Sequence, residues 1–281
     1  MRDLSCRSPY YAGSFYPKDK HELIKLLHFC FHESIFGPTN KQTIHKKIFG
    51  ILVPHGAYIY SGGISANAFV EISSRNIDTF ILIGPDHNGT GKRISISSEG
   101  YWQTPLGDIL IDNTITNALK KSCNFVEEDK IAHQIEYSLE VQVPFIQYSS
   151  NNSFTIVPIL LRDQDIETAI LLGNLIAKYS ARKNVMIIAS SCLSHYELNA
   201  SVQKKDSQLI QSIENLDIES FYQYLMNLKP SVCGYGAIAS LMRAVKILGS
   251  KKGVLLKYAT SGDVTSDNKN TVVGYASIVF I

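Results

Sequence analysis

Short apolar runs that alternate with segments of helical periodicity most constrain the fold of this chain. Four such runs, each bounded by turn residues, predict buried strands: Lys47–Pro54, Asp78–Gly84, Phe154–Leu161 and Asn184–Ser190. In two of the intervals between them, Ser61–Ile72 and Gln164–Tyr179 have the apolar spacing of helices. Strands and helices in alternation predict an α/β fold in which helices cover both faces of a central sheet.

The C-terminal part of the chain and one insertion extend this prediction. We expect Val232–Leu248 to form a helix, and Val254–Ala259 and Thr271–Ile281 to form closing strands. Ile94–Ser98, with the residues from Tyr101 to Ile111, has the pattern of a hairpin-type insertion, so the sheet is expected to be mixed but mostly parallel. No internal repeat or linker divides the chain, which predicts one domain over residues 1–281.

The charge balance and the cysteines limit the expected partners and compartment. The 281 residues carry a formal net charge of +2 and no basic stripe, so nucleic acid is not expected, and a small molecule or a peptide is. No window approaches the roughly 20 apolar residues of a membrane helix, and Met1–Tyr10 lacks the apolar stretch of a signal peptide. Five cysteines without regular spacing do not indicate a secreted disulfide framework. We therefore expect a cytoplasmic protein.

Three of the eight histidines follow the ends of predicted strands. His55 comes directly after the first strand, His87 three residues after Gly84, and His195 shortly after Ser190. Ligands of α/β sheets bind at the carboxyl ends of the strands. A single loop histidine is usually a surface or hydrogen-bonded residue, but three at equivalent strand ends favour a shared site for His55 and His87.

Cys233 and the segment around His133 are further candidates. Cys233 stands at the predicted start of the long helix, where backbone N–H groups and the helix dipole favour a thiolate. The alternative for Cys233 is a buried cysteine that behaves as a small hydrophobic residue. His133 lies just before Glu136 and Glu140, which are one helical turn apart. His133 is therefore a candidate catalytic residue, although an acidic first helical turn explains the glutamates equally well.

Two imidazoles and one thiolate would give a metal ion three protein ligands and leave one position free. An open position distinguishes a catalytic metal site from a closed structural one. Such a ligand set is similar to a facial triad in which sulfur replaces the carboxylate, and it suits iron, copper or zinc.

At these residues the sequence resembles the Memo family, the B component of the AmmeMemoRadiSam system. The matching segments run nearly from end to end: AGSFYP (12–17), VPHGAYIYSG (53–62), ILIGPDHNGTG (81–91), TPLG (104–107), AHQIEYSLEVQVPF (132–145), SSCLSHYE (190–197), CGYGAI (233–238), YATSGDVT (258–265) and VVGYASIVF (272–280). Because so many segments occur in the same order, chance similarity is excluded.

The resemblance implies a fold similar to that of class III non-haem iron dioxygenases. It implies that His55, His87 and Cys233 are metal ligands and that His195 matches the acid/base histidine of those enzymes. Iron or copper is the implied cofactor, and a non-haem oxidoreductase is the implied enzyme class. The name of the system further implies a functional link to a radical-SAM protein and an A-component protein.

Three departures from the family pattern fall close to these residues. Gly56 and Ala57 are exchanged relative to the usual VPHAGY, and Tyr137 stands where the family usually has histidine. Cys192 occupies the position of an aspartate in the usual SSDLSHY. Cys192 either fills space or serves as a fourth ligand, in which case the site is closed, zinc-like and structural.

Three functions follow as hypotheses. The first is a metal-dependent redox enzyme that acts on a small substrate, with His195 moving a proton. The second is a peptide-binding adaptor module, as in an animal relative, whose pocket is walled by Phe15, Tyr16, Tyr60 and Trp102. The third is a metal-free cysteine enzyme with Cys233 or Cys192 as nucleophile and His195 as base.

Overall fold

The computed structural model describes residues 6–39, 44–180, 184–229, 231–266 and 270–281. The strands are β1 (Cys6–Arg7), β2 (Gly50–Val53), β3 (Thr79–Pro85), β4 (Ile94–Ile96), β5 (Tyr101–Thr104), β6 (Gly107–Ile111), β7 (Val126–Glu128), β8 (Thr155–Leu161), β9 (Val185–Ser190), β10 (His195–Glu197), β11 (Gly253–Thr260) and β12 (Val272–Phe280). The helices are α1 (Lys20–His32), α2 (Tyr58–Ile72), α3 (Asn113–Ser122), α4 (Lys130–Gln134), α5 (Tyr137–Glu140), α6 (Val143–Ser149), α7 (Ile166–Ser180), α8 (Asn199–Glu214), α9 (Ile218–Leu228), α10 (Tyr235–Leu248) and α11 (Ser261–Thr265).

A parallel block of strands in the order β6-β8-β3-β9-β2 forms the centre of one large sheet. Every residue of β3 is buried, because strands lie on both sides of β3 and helices cover the sheet. Side chains alternate between the two faces: Ile81 and Ile83 join one core cluster, whereas Phe80 and Leu82 join the other. The first core includes α7 and α10, and the second includes α1, α2 and α6.

Antiparallel strands extend this block on both sides. Beyond β2, strand β12 pairs antiparallel with β2 and with β11, and the short β10 pairs with β12. On the other side, β5 and β6 form an antiparallel hairpin, and β4 runs antiparallel to β8. The prediction of an α/β fold with a mixed sheet and a hairpin-type insertion is therefore confirmed.

The predicted elements match the observed ones with small differences at their ends. The helix predicted from Ser61 begins at Tyr58, since Ala57 already has an extended N-cap conformation. The helix predicted from Val232 begins at Tyr235, and Cys233 lies just before the N-cap residue Gly234. No helix of the described segments is long and apolar enough to cross a membrane.

The sheet topology decides where the candidate residues lie. Strands β3, β9 and β2 are parallel neighbours, so their carboxyl ends share one edge. His87, Cys192 and His55 each follow one of these ends by two residues. The turn before α10 brings Cys233 to the same edge, as Gly234 demonstrates: a Cβ atom there would lie 2.7 Å from the Ser190 carbonyl oxygen.

Candidate metal centre

His55, Cys192 and Cys233 form a compact cluster of metal-binding side chains. One potential ligand atom from each lies within 4.8 Å of those of the other two. His55 and Cys192 are buried, and Cys233 is partly exposed. The Cys233 Sγ atom lies 2.9 Å from His55 Nε2. Imidazole nitrogen and thiolate sulfur are ligands of zinc, copper and iron, so the chemistry of this donor set fits a metal ion.

The hydrogen bonds of Ser190 fix the tautomer of His55. The Ser190 hydroxyl donates its single proton to the Ser138 carbonyl at 2.6 Å and accepts a hydrogen bond from Gln142 Nε2 at 2.8 Å. His55 Nδ1, 3.2 Å from the same oxygen, must therefore be the donor. The lone pair of a neutral His55 is then on Nε2, the nitrogen that faces Cys233.

A buried carboxylate holds His87 in the same way. Glu136 Oε1 lies 2.8 Å from His87 Nδ1, and Glu136 Oε2 accepts the backbone N–H of His87 at 2.7 Å. Glu136 is only 1% exposed. Carboxylate–histidine pairs of this kind orient metal-ligating imidazoles and make them more basic. His87 is thus held through Nδ1, and its ring centre lies 5.1 Å from that of His55.

Aromatic rings cover one side of the two histidines. The Tyr137 ring stacks on His87 at 4.4 Å with an interplanar angle of 13° and meets His55 edge-on at 5.5 Å. Its hydroxyl lies 3.1 Å from His87 Nε2. Phe15 packs on the far side of Tyr137 at 4.7 Å. These contacts exclude solvent from that face and restrict the rotation of both imidazoles.

His195 is the first residue of β10. Its Nδ1 atom lies 2.6 Å from the Ser231 carbonyl oxygen, which accepts the Nδ1 proton. Burial lowers the pKa of His195, but its hydrogen bond with Cys233 and the nearby Ser231 carbonyl outweigh burial and raise the pKa above its usual value. The raised pKa of His195 thus depends on both Cys233 and Ser231.

The two thiols differ in their tendency to ionise. Burial raises the pKa of Cys192 well above its usual range, and the hydrogen bond with Cys233 raises it further. Burial acts in the same direction on Cys233, but the Cys192 hydrogen bond, the electrostatic effect of His55 and the His195 hydrogen bond hold the pKa of Cys233 well below its usual range. Cys233 is therefore the thiol of the pair that ionises more readily, and the thiolate is the form that binds metals and attacks electrophiles.

The structure does not bring every predicted residue into this cluster, and His87, a predicted ligand, is not part of the group formed by His55, Cys192 and Cys233. His133 is buried, with Nδ1 2.8 Å from the Asp129 carbonyl oxygen and its ring 6.1 Å from that of Trp102. Burial lowers its pKa. Tyr16 is also buried, and its hydroxyl donates to Glu140 at 2.6 Å, whereas Tyr60 is partly exposed on the first turn of α2. The catalytic role of His133 and the substrate-binding roles of Phe15, Tyr16 and Tyr60 stay predictions.

The Glu136–His87 pair gives a pH-dependent contribution to stability. Burial lowers the pKa of His87, but hydrogen bonds with Cys233 and Glu136 raise it overall from 6.5 to about 9. A raised folded-state pKa stabilises the folded protein fully below pH 6.5, and this contribution is lost as the pH rises through 9. We expect the metal-free wild type to have a larger unfolding free energy than Glu136→Gln at pH 6. This difference in unfolding free energy should shrink by about 1–2 kcal/mol at pH 10.

Urea unfolding of chelator-treated protein at both pH values measures this difference. The comparison with Glu136→Gln cancels the titration of the cysteines, which are common to both chains. A gap between the two proteins that is constant from pH 6 to pH 10 would show that the charge of His87 does not contribute.

Comparison with known proteins places the whole chain in one group. Residues 7–279 match the family model described as Memo-like protein. A MEMO1 family protein of Nitrosopumilus maritimus is 41% identical over 275 residues, covering 98% of this chain and 99% of that protein. One from Methanocaldococcus jannaschii is 40% identical over 285 residues, covering 97% and 98%. A crystal structure of an uncharacterised Escherichia coli K12 protein covers 82% of this chain and 99% of its own, with 12% identity and a TM-score of 0.46.

Proposed function

Because this chain belongs to the Memo family, we propose that it binds one iron or copper ion and catalyses oxidation or reduction of a small molecule. The observation that carries the proposal is the arrangement of two histidines that are held through Nδ1, with the Cys233 sulfur beside one of them. His55 is held by Ser190 and His87 by Glu136, while Cys233 Sγ lies 2.9 Å from His55 Nε2. A cysteine with a purely structural role does not require neighbouring histidines whose Nδ1 atoms are held by hydrogen bonds.

His55, His87 and Cys233 would hold the ion, with Cys192 beside them. When bound, iron or copper supplies a coordination position for the substrate and accepts or donates electrons. The protein supplies the orientation of the imidazoles, through Ser190 and Glu136. The Tyr137 ring excludes water from one face of the histidines, which strengthens electrostatic interactions within the site.

His195 is the group that moves a proton in this proposal. Its Nδ1 proton is committed to the Ser231 carbonyl, so Nε2 exchanges the proton on the side of Cys233. Histidine is the side chain whose usual pKa lets it gain and lose a proton near physiological pH. His195 therefore acts beside the ligands without being required to hold the ion.

Replacing His195 by alanine is expected to leave metal binding intact and to reduce turnover by about 10²–10⁴-fold. The reaction is measured as O₂ uptake by iron-loaded protein with a panel of small phenols and catechols. Elemental analysis of the same samples gives the metal content. His28→Ala, which removes an exposed histidine from α1, is the matched control and should behave as wild type.

Two results would contradict this proposal. Loss of metal in His195→Ala would make His195 a ligand instead of a proton carrier. Full O₂ uptake by metal-loaded His195→Ala would leave the residue without a catalytic role.

A peptide-binding adaptor is the second candidate, and Tyr196 favours it. Tyr196 follows His195, is 75% exposed, and has a φ angle of 60°, a left-handed conformation that is uncommon for a tyrosine. Its ring lies 5.5 Å from that of His195. An exposed aromatic ring held in a strained conformation next to a cluster of polar groups is a feature of binding sites.

Calorimetric titration with a phosphotyrosine peptide separates this candidate from the redox enzyme. Binding that is lost in Tyr196→Ala and kept in metal-free protein would favour the adaptor. Absence of heat at millimolar peptide would remove support for it.

A further inference from the structure

Two thiols of this chain lie close to each other at the candidate metal centre. Cys192 and Cys233 are 41 residues apart in sequence, and their Sγ atoms lie within 4.8 Å. The Cys233 sulfur is 3.6 Å from the Cys192 carbonyl oxygen and 3.9 Å from the Ser191 hydroxyl. The backbone on both sides is fixed, since Gly234 N–H donates to Ser191 Oγ at 2.9 Å and the Cys233 carbonyl accepts from Gln164 at 2.8 Å. The hydrogen-bonded backbone therefore holds the two thiols close together.

The two cysteine residues differ in their exposure to solvent. Cys233 is partly exposed, and its sulfur contacts His55 Nε2 at 2.9 Å. Cys192 is only 2% exposed. A small oxidant from solvent thus meets Cys233 first, and Cys192 is the thiol placed to react next. The other cysteines lie elsewhere: Cys6 on β1, Cys30 within α1 and Cys123 after α3.

We propose that Cys192 and Cys233 form a redox-active dithiol that is oxidised by a peroxide to a disulfide and thereby stops binding metal. The Cys233 proton passes to His55 Nε2, and the Cys233 sulfur attacks one peroxide oxygen, forming an S–O bond as the O–O bond breaks. The departing hydroxide takes the proton from His55 and leaves as water. Cys233 is then a sulfenic acid.

Cys192 completes the reaction. Its sulfur attacks the Cys233 sulfur, an S–S bond forms, the S–O bond breaks, and hydroxide leaves with the Cys192 proton as a second water. Two thiols and one hydrogen peroxide thus give one disulfide and two waters, and the two electrons pass from sulfur to the peroxide. A thiol reductant reverses the change.

The disulfide controls the centre because thiolates, not disulfides, bind metal ions. This step rests on the proposed function, in which Cys233 is a ligand. Metal bound through Cys233 would in turn protect the sulfur from peroxide. Metal binding and disulfide formation therefore exclude each other.

The test uses the full chain, freed of metal by a chelator and treated with hydrogen peroxide. After alkylation of free thiols and digestion with trypsin, mass spectrometry should find residues 184–204 linked to residues 206–243, which contain Cys192 and Cys233 respectively. Zinc-loaded protein should form this link at least about tenfold more slowly. Oxidised protein should bind less than about a tenth of the zinc that reduced protein binds, and a reductant should restore binding.

Two variants complete the experiment. Cys123→Ala is the matched control and should form the link at the wild-type rate. Cys192→Ser should leave Cys233 unlinked and oxidised beyond the sulfenic acid. The dithiol is refuted if metal-free wild type consumes peroxide without forming the link, and mutual exclusion is refuted if the linked protein binds zinc fully. If the reduced protein binds no metal but still forms the link when peroxide is added, the proposed function is refuted and the dithiol proposal stands.

Discussion

Replacing His55 by alanine is expected to lower the metal content from about one ion per chain to near zero. His55 is buried and its Nε2 faces Cys233, so no solvent ligand easily takes its place. Protein purified anaerobically, with elemental analysis by mass spectrometry, gives the measurement. Cys233→Ala should have the same effect, because it removes the thiolate. His28→Ala controls for adventitious binding to surface histidines.

Cys192→Ala distinguishes an open three-ligand metal centre from a closed four-ligand one. An open centre held by His55, His87 and Cys233 should keep its iron or copper in this variant. A closed four-ligand centre should hold zinc and lose it in Cys192→Ala as well as in His55→Ala. Metal kept at full occupancy in His55→Ala would show that the ion binds elsewhere.

The strand ends could be predicted because the necessary signals are local in the sequence. A continuous apolar run between turn residues predicts a strand buried on both faces, and β3 is such a strand. His55 and His87 could then be placed at one edge, since parallel strands of one sheet end on the same side. The position of Cys233 beside His55 does not follow from the order of the strands. The two residues are 178 positions apart, and only the turn before α10 in the folded chain brings them together.

The residues that hold His55 and His87 could not be predicted in the same way. Glu136 is 49 residues from His87, and Ser190 is 135 residues from His55. Periodicity describes how one segment is buried and does not say which polar groups meet across the fold. Glu136 appeared in the sequence only as one of two acids in an early helical turn. In the structure it is the N-cap of α5, and its carboxylate also binds the His87 side chain.

Glu140, the second of those acids, has a structural role, and we expect its replacement to cause a large loss of stability. Its carboxylate lies 2.6 Å from Arg7 Nη2, and the two side chains are 1% and 6% exposed. Arg7 also donates to the carbonyl oxygens of His133 and Glu136. The carboxylate further accepts the Tyr16 hydroxyl at 2.6 Å and the Tyr11 N–H at 2.8 Å. This ion pair therefore joins the N-terminal segment to the segment that carries Glu136.

Glu140→Ala is accordingly expected to reduce the unfolding free energy by about 3–5 kcal/mol, because it leaves the Arg7 guanidinium buried without its counter-charge. Urea unfolding at neutral pH measures the change. The matched control is Glu22→Ala, which breaks an ion pair of similar length, 2.8 Å, whose side chains are 60% and 73% exposed. That variant should lose less than about 1 kcal/mol, since water and salt screen an exposed pair.

The double variant Arg7→Met/Glu140→Leu distinguishes an unpaired charge from lost packing. Removing both charges avoids burying either one alone, so the double variant should be more stable than Glu140→Ala. Equal stability of the two would show that the hydrogen bonds to Tyr11 and Tyr16 carry the effect. Phe15 lies between Tyr11 and Tyr16 in the sequence and packs against Tyr137, whose ring stacks on His87. Glu140→Ala should therefore also loosen the packing of the Phe15 and Tyr137 rings over His87. A higher rate of amide exchange around Phe15 in Glu140→Ala, and not in Glu22→Ala, would demonstrate that coupling.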